Sequence, residues 1–393
     1  MQSDFDEIVN RENTACYQYD LRKKYFGTDD VIPMWVADMD FKTPAFITEA
    51  IKKRLGHEIL GYTFRSDSFY ESIIKWLKTR HGWEIKRDWI EFSPGIVPAL
   101  NLAVLAYTNP GDKIVVQPPV YFPFFSAIKN HNRIVVNNPL KLKGGRYYMD
   151  YNDLKSKIDS RVKMIFLCSP HNPTGNVWTE EELVELADVC LNNNMLILSD
   201  EIHSDLVFNG HKHIPVATLG KEIAGNTITC IAPSKTFNLA GLSASVVISS
   251  NKKIIHKFRD ILDHIHVGSG NIFGNIAAEA AYNFGYSWLE QLMAYLQDNL
   301  KFVINYFHEN IPLIRPVIPE ATYLLWLDCR KLGMPGQQLK KFFIDKAKLG
   351  LSDGPIFGKG GAGFQRMNIA CPREKINMAL QRLNKAINEY LKD

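Results

Sequence analysis

The chain contains no cysteine pair at redox or metal-ligand spacing, no apolar run of membrane-spanning length and no marked excess of one charge. Each absence removes a class of function. Its six cysteines, Cys16, Cys168, Cys190, Cys230, Cys329 and Cys371, lie far apart, so neither a disulfide framework nor a zinc site is indicated. Several fall inside apolar stretches, where a reduced thiol behaves as a small hydrophobe, and a reducing cytoplasm is the expected location. The longest apolar stretch, IVPALNLAVLAY, is interrupted by Pro98 and Asn101, so no membrane partner is expected. With 46 basic and 42 acidic side chains the formal net charge is only +4, which gives no footprint for nucleic acid. The opening MQSDFDEIVNREN is acidic where a secretory leader would be basic and then apolar, and none is expected. No internal repeat and no low-complexity tract is visible.

What is present is a 393-residue chain with 46% hydrophobic residues, enough for a large core divided between two domains. From about residue 90, short β-branched runs alternate with helical patterns, the signature of an α/β fold with a mainly parallel sheet. The strand candidates are KIVVQPP (113–119), RIVVNN (133–138), KMIFLCSP (163–170), MLILSDEI (195–202), NTITCIAPS (226–234) and SASVVISS (243–250). Between two of them, TEEELVELADVCLNNN places apolar residues at helical spacing behind Thr179, with acids in the first turn. After about residue 285 a long amphipathic helix, two strand-like runs (TYLLWLD and FQRMNIAC) and a closing helix near 374–391 read as a smaller α+β domain. The expected division is 1–45, an N-terminal segment packing with the small domain; 46–285, the large domain; and 286–393, the small one.

Open parallel sheets bind ligands beyond the carboxyl ends of their strands. The polar strand ends are SPHNPTG (169–175), SDEIHSD (199–205) and APSKTFN (232–238). Together they offer an amide, Asn172, a carboxylate, Asp200, and an amine, Lys235. Such a set can hold a planar heteroaromatic aldehyde, the pattern for pyridoxal 5'-phosphate, with the carboxylate on the ring nitrogen and the amine as a Schiff base. Burial lowers a lysine's proton affinity and exposes a nucleophile.

The runs SPHNPTGNVWTEEEL, SDEIHSDL and SKTFNLAGL resemble, in order and spacing, the fold type I pyridoxal-phosphate enzymes of the aspartate aminotransferase superfamily. The resemblance implies a seven-stranded, mainly parallel sheet flanked by helices, with Lys235 as the Schiff-base lysine, Asp200 at the ring nitrogen and Asn172 at the phenolic oxygen. His203 stands where aminotransferases usually place a Tyr that touches the same oxygen. Tyr121, in PPVYFPF, matches the aromatic residue stacked on the ring. Gly95, Ile96 and Val97, in SPGIVPAL, match the loop whose amides open a helix onto the phosphate. Tyr62, in LGYTF, matches a tyrosine that reaches the phosphate of a neighbouring subunit, which implies a homodimer with interfacial active sites. Position 243, where aminotransferases commonly carry an Arg, is Ser, which leaves the phosphate to backbone amides, Tyr62 and Ser234.

The N-terminal VIPMWVADMDFKTP (31–44) resembles the opening of the PatB/MalY group of cystathionine β-lyases, and FGKGGAGFQRMNIACPR (357–373) agrees. Arg366 matches the arginine that clamps the substrate carboxylate, a bidentate task that suits a guanidinium. Ala37 lies in the segment closing over that carboxylate, and Asn172 borders the same place. The implied reaction is α,β-elimination from L-cystathionine or another L-cysteine S-conjugate: Lys235 removes the Cα proton, the thiolate departs with Tyr121 as its acid, and pyruvate and ammonia follow.

Taken singly, these residues have plainer readings. Lys235 could be a strand-end lysine, Asp200 and Glu201 a loop pair, Asn172 an ordinary turn before Pro173, Tyr121 part of an aromatic core patch, Tyr62 a buried tyrosine, and Arg366 a surface ion pair. GKGGAG (358–363) fits GxGxxG but leads into a strand, so it reads as a flexible loop feeding Arg366. His211 and His213 lack further ligands; a solvated turn is expected and no metal. Two competing functions stand beside the lyase. One is an aminotransferase of the same fold, against which WVADMDF and Ser243 argue. The other is a cofactor-binding regulator, for which no DNA-binding segment is visible.

Overall fold

The computed structural model describes residues 3–392. Its central sheet contains β1 (Ile90–Ser93), β2 (Lys113–Val116), β3 (Ile134–Asn137), β4 (Val162–Cys168), β5 (Leu196–Asp200), β6 (Thr227–Ile231) and β7 (Ser245–Ile248), in the order β1-β7-β6-β5-β4-β2-β3. All neighbouring pairs are parallel except the two made by β7, which runs antiparallel to both β1 and β6. Helices cover both faces of such a sheet, so its central strands are apolar along their whole length rather than alternating. Every residue of β6 is buried, and β4 exposes only Lys163.

The six strand-like runs all form strands, one to three residues shorter at most ends because the polar flanks turn away as loops. β1 is an addition. It begins at Ile90, just before EFSPGIVPAL, is only four residues long, and is separated from α2 (Ile96–Tyr107) by Pro94 and Gly95 alone. The crossover after β4 contains α3 (Glu180–Asn192), opened by a full capping box: Thr179 Oγ1 accepts from Glu182 N at 3.2 Å, and Glu182 Oε2 accepts from Thr179 N at 2.9 Å. Its buried face is Leu183, Leu186, Ala187, Val189 and Cys190.

A second, antiparallel sheet has the order β8-β9-β11-β10, from β8 (Arg315–Val317), β9 (Leu324–Asp328), β10 (Ser352–Asp353) and β11 (Phe364–Asn368). The 25-residue α5 (Tyr286–Asn310) and α6 (Arg373–Tyr390) pack with it. Residues 32–40 lie along this sheet: Met34 N donates to Gly350 O, Asn368 N to Met34 O and Asp40 N to Ala370 O, each at 2.9 Å. Gly175, at φ +76, touches Pro319 so closely that a Cβ would lie 2.4 Å from the proline Cβ. Its carbonyl accepts from Glu320 N and Ala321 N, both at 2.9 Å, which fastens the loop after β4 to the loop before β9.

Candidate active site

Register brings Cys168, Asp200 and Cys230 side by side at the carboxyl ends of β4, β5 and β6. Just beyond them is a cavity of about 230 Å³. Of the residues singled out from sequence, Ala37, Gly95, Ile96, Val97, Tyr121, Asn172, Asp200, His203, Ser234 and Lys235 all line it. Arg366 stands just behind, its Nη1 donating to Asn172 Oδ1 at 2.9 Å. Tyr62 is not among the lining residues. It lies fully exposed on the irregular segment 57–65, beside the exposed Ile59, Leu60 and Phe64.

Lys235 sits on α4 (Pro233–Thr236), a single turn entered from extended Ala232. Its Nζ donates to Ala37 O at 2.6 Å. Desolvation is the main force on the amine and, with Arg366 adding to it against the pull of Asp38 and Asp200, brings it down to about 8. Asp200 is pushed up to about 7 by burial, and Ile202 N (3.2 Å to Oδ1) and Lys235 only partly offset that cost. A buried carboxylate so placed lacks a cationic hydrogen-bond partner. His203 is buried and held neutral, down to about 3, first by desolvation and then by the nearby Lys235 and Arg366; its Nδ1 has no partner. Tyr121 is pushed up to about 12 by burial and by Asp200.

Gly95 has φ +147, a conformation that disfavours any side chain, and a Cβ there would lie 3.3 Å from Pro98 Cδ. The glycine therefore lets α2 begin at the cavity with the N–H groups of residues 95–97 directed outward from the helix start. Pro98 has no N–H, and Ala99 is the first whose N–H is spent in the helix, on Gly95 O at 3.0 Å. Ser243, in the left-handed region at φ +49, closes the same end without a cation.

Arg366 projects from β11. Besides Asn172 it donates to Trp35 O at 2.7 Å and Ser352 Oγ at 3.2 Å, and its Nε is buried without a partner. No carboxylate among the described residues pairs with it, and burial lowers it to about 10. A guanidinium in that state is a ready clamp for an incoming carboxylate. The segment over the cavity is held by its own carbonyls: Val36 O and Asp38 O accept from Asn368 Nδ2, Ala37 O also accepts from Tyr323 Oη at 3.1 Å, and Asn238 binds Met39 at both N and O. Asn238 is legible after the fact, since it lies within SKTFN at φ +58, an Asn-tolerant conformation. Tyr323, Ser352 and Asn368 carry no sequence signal.

His213 corrects an expectation. It is not in a solvated turn but 4% exposed, with Nε2 2.8 Å from Glu201 Oε2. His211, two residues before, is exposed. No group of three or more potential metal ligands is found among the described residues.

The residues present fit pyridoxal phosphate. An uncompensated buried carboxylate, an unpartnered imidazole nitrogen, a glycine-opened helix start and a desolvated lysine surround one cavity of the right chemistry.

Residues 29–383 match the aminotransferase class I and II family. The chain is 41% identical over 385 residues to cystathionine β-lyase PatB of Bacillus subtilis, covering 98% of this chain and 100% of that one. The structure is similar to that of cystalysin from Treponema denticola, which contains pyridoxal 5'-phosphate (TM-score 0.96, 38% identity, covering 99% of this chain and 100% of that one). It is similar also to the PLP-bound C-S lyase of Staphylococcus hominis (TM-score 0.92, 34% identity, covering 98% of each chain).

Proposed function

The chain belongs to the aminotransferase class I and II family, in the branch of cystathionine β-lyase PatB and protein MalY, and from that premise we propose a pyridoxal-phosphate-dependent carbon–sulfur β-lyase. It takes L-cystathionine or another L-cysteine S-conjugate and water, and yields a thiol, pyruvate and ammonia. The observation that carries this reading is the pairing of an uncompensated buried guanidinium, Arg366, with a desolvated amine, Lys235, under one clasped segment. Together they offer an α-amino acid a carboxylate clamp and a base.

When bound, pyridoxal phosphate supplies an aldehyde for the substrate amine and a ring that takes up the electron pair left at Cα. Asp200 would hold the ring nitrogen and its proton, Asn172 and His203 the phenolic oxygen, and the amides of residues 95–97 with Ser234 the phosphate. Arg366 and Asn172 orient the carboxylate against the segment containing Ala37. Lys235 Nζ takes the Cα proton. With a proton affinity near 8, close to that of a free thiol at about 8.5, it is matched to return that proton to the departing sulfur. Tyr121, pushed up to about 12, would stay protonated, stack on the ring and donate a hydrogen bond to the sulfur, which moves the acid role expected of it from sequence to Lys235.

A second copy of the chain is proposed to cover the exposed segment 57–65 and to receive Tyr62 at its phosphate site. All six cysteines are free thiols, which supports a reducing cytoplasm. No described helix is long and apolar enough to cross a membrane. The test is incubation with cystathionine and no keto acid: pyruvate should accumulate. If product forms only with a keto-acid acceptor, the enzyme is an aminotransferase.

A further inference from the structure

The motif SDEIHSD ends in a carboxylate that the reaction above does not use. Asp205 is 5% exposed, in the turn that follows Asp200 and His203. Its Oδ1 accepts from Trp76 Nε1 at 3.2 Å and lies 3.0 Å from His81 Nε2, while its carbonyl oxygen accepts from Arg80 Nη2 at 3.4 Å. All three partners come from the last turns of α1 (Asp67–His81). The other oxygen, Oδ2, accepts from Thr236 Oγ1 at 2.9 Å. Thr236 is completely buried and immediately follows Lys235.

A single helical turn does not hold its own geometry, since nucleation costs more than one turn returns. The direction in which Lys235 leaves the backbone must therefore be set from outside α4. Thr236 is β-branched and stiff about χ1, so anchoring its hydroxyl fixes the backbone at 236 and with it the Cα–Cβ direction one residue earlier. The anchor is itself held from α1, whose side chains engage its other carboxylate oxygen and its carbonyl. Although burial raises Asp205's proton affinity, His81, Thr236 and Arg80 bring it below the ordinary carboxylate range, so it stays an acceptor. The His81 ring also stands edge-on to His213 at 5.5 Å, and His213 binds Glu201, next to Asp200. One helix end thus braces the turn bearing the lysine and the turn that follows the ring-nitrogen partner.

We propose that Asp205 is a positioning residue for Lys235: through Thr236 its buried carboxylate sets the orientation of the lysine-bearing turn, on the reading above that this lysine carries the cofactor. The test compares holoenzyme with D205N, T236V and T236S. Asn keeps the shape but offers one acceptor to three donors, Val removes only the hydroxyl, and Ser restores it. In T236V and D205N, kcat should fall roughly tenfold to a hundredfold with KM within about twofold, as for a small misplacement of a reacting group. The circular dichroism of the cofactor's visible band should change in amplitude, and T236S should recover both. Wild-type visible dichroism and kcat in T236V, with only a lower melting temperature, would overturn the proposal and leave Asp205 a structural plug. T236V decides the matter even if D205N fails to fold. A wild-type protein that takes up no cofactor sinks the underlying reading instead; one that shows the dichroism contrast but eliminates no thiol loses only the lyase assignment.

Discussion

Lys235 Nζ donates to the carbonyl oxygen of Ala37 at 2.6 Å, although 198 residues separate them. The amine is thereby held at the segment that closes the cavity, in surroundings that disfavour its charge. Cofactor capture by the apoprotein requires the neutral amine, and the neutral fraction grows as pH rises through the amine's value. The rate of pyridoxal-phosphate uptake should therefore rise with a midpoint near pH 8, rather than at about 10.4 as for a free lysine. Stopped-flow absorbance across pH 6–11 checks this, and a midpoint above roughly 10 would contradict it.

Asp200 makes an opposite contribution in the apoprotein. Its folded-state value, about 7, lies above the ordinary aspartate value of 3.8, so the native state binds more protons than the unfolded chain between those limits. Stability contributed by this group is present at low pH and is lost as pH rises from about 4 to about 7. Apo D200N should consequently be more stable than wild-type apoprotein at pH 8, by an amount on the order of 2–4 kcal/mol, and the gap should close by pH 4. Urea unfolding at the two pH values measures it. In the holoenzyme the same substitution should lower kcat, because the ring nitrogen loses its carboxylate.

Arg366 is buried without a carboxylate, an arrangement that costs folding energy and serves the substrate. R366M should leave the apoprotein melting temperature unchanged or raised while kcat/KM falls by about a hundredfold or more. R366K keeps the charge but not the fork, and should recover only a small part of the loss.

Tyr62, exposed in a single chain, has no stabilising contact to lose. Y62A should weaken cofactor affinity by about tenfold, the value of one lost hydrogen bond to a charged group. It should leave the melting temperature of the apoprotein within a degree or two, because with the phosphate site empty the phenol has no partner there to lose. Equilibrium dialysis of the cofactor checks the first, calorimetry the second. Unchanged affinity would remove Tyr62 from the phosphate site.

Trp178 anchors the loop that holds Asn172: it is 1% exposed, and its Nε1 donates to Cys168 O at 2.9 Å. W178A should destabilise the protein by about 3–5 kcal/mol, as expected for emptying a packed aromatic site. W178F, which keeps most of the volume, should cost much less. Chemical denaturation of the two variants distinguishes packing from the hydrogen bond.

Much of the scaffold was legible because its signals are local. Apolar β-branched runs marked six strands of the central sheet, and Thr179 with Glu182 marked the start of α3. Strand direction is not local: nothing in SASVVISS says that β7 runs against both neighbours, since period and composition are the same either way. β1 carries no local signal for the same reason of scale, being four residues that end only two residues before α2. His213 reads as solvated because the residues leading into it, NGHK, are polar, while its partner Glu201 is 12 residues away across a turn.

The types of group at the site, amine, carboxylate, amide and guanidinium, were set by the chain itself, as was their place at strand ends, because both follow from residue identity and short-range pattern. Their protonation and aim were decided only by folding. The lowered amine of Lys235, the raised carboxyl of Asp200 and the unpaired state of Arg366 all arise from burial and from contacts between distant segments, and burial is a property of the assembled interior, not of any stretch read alone.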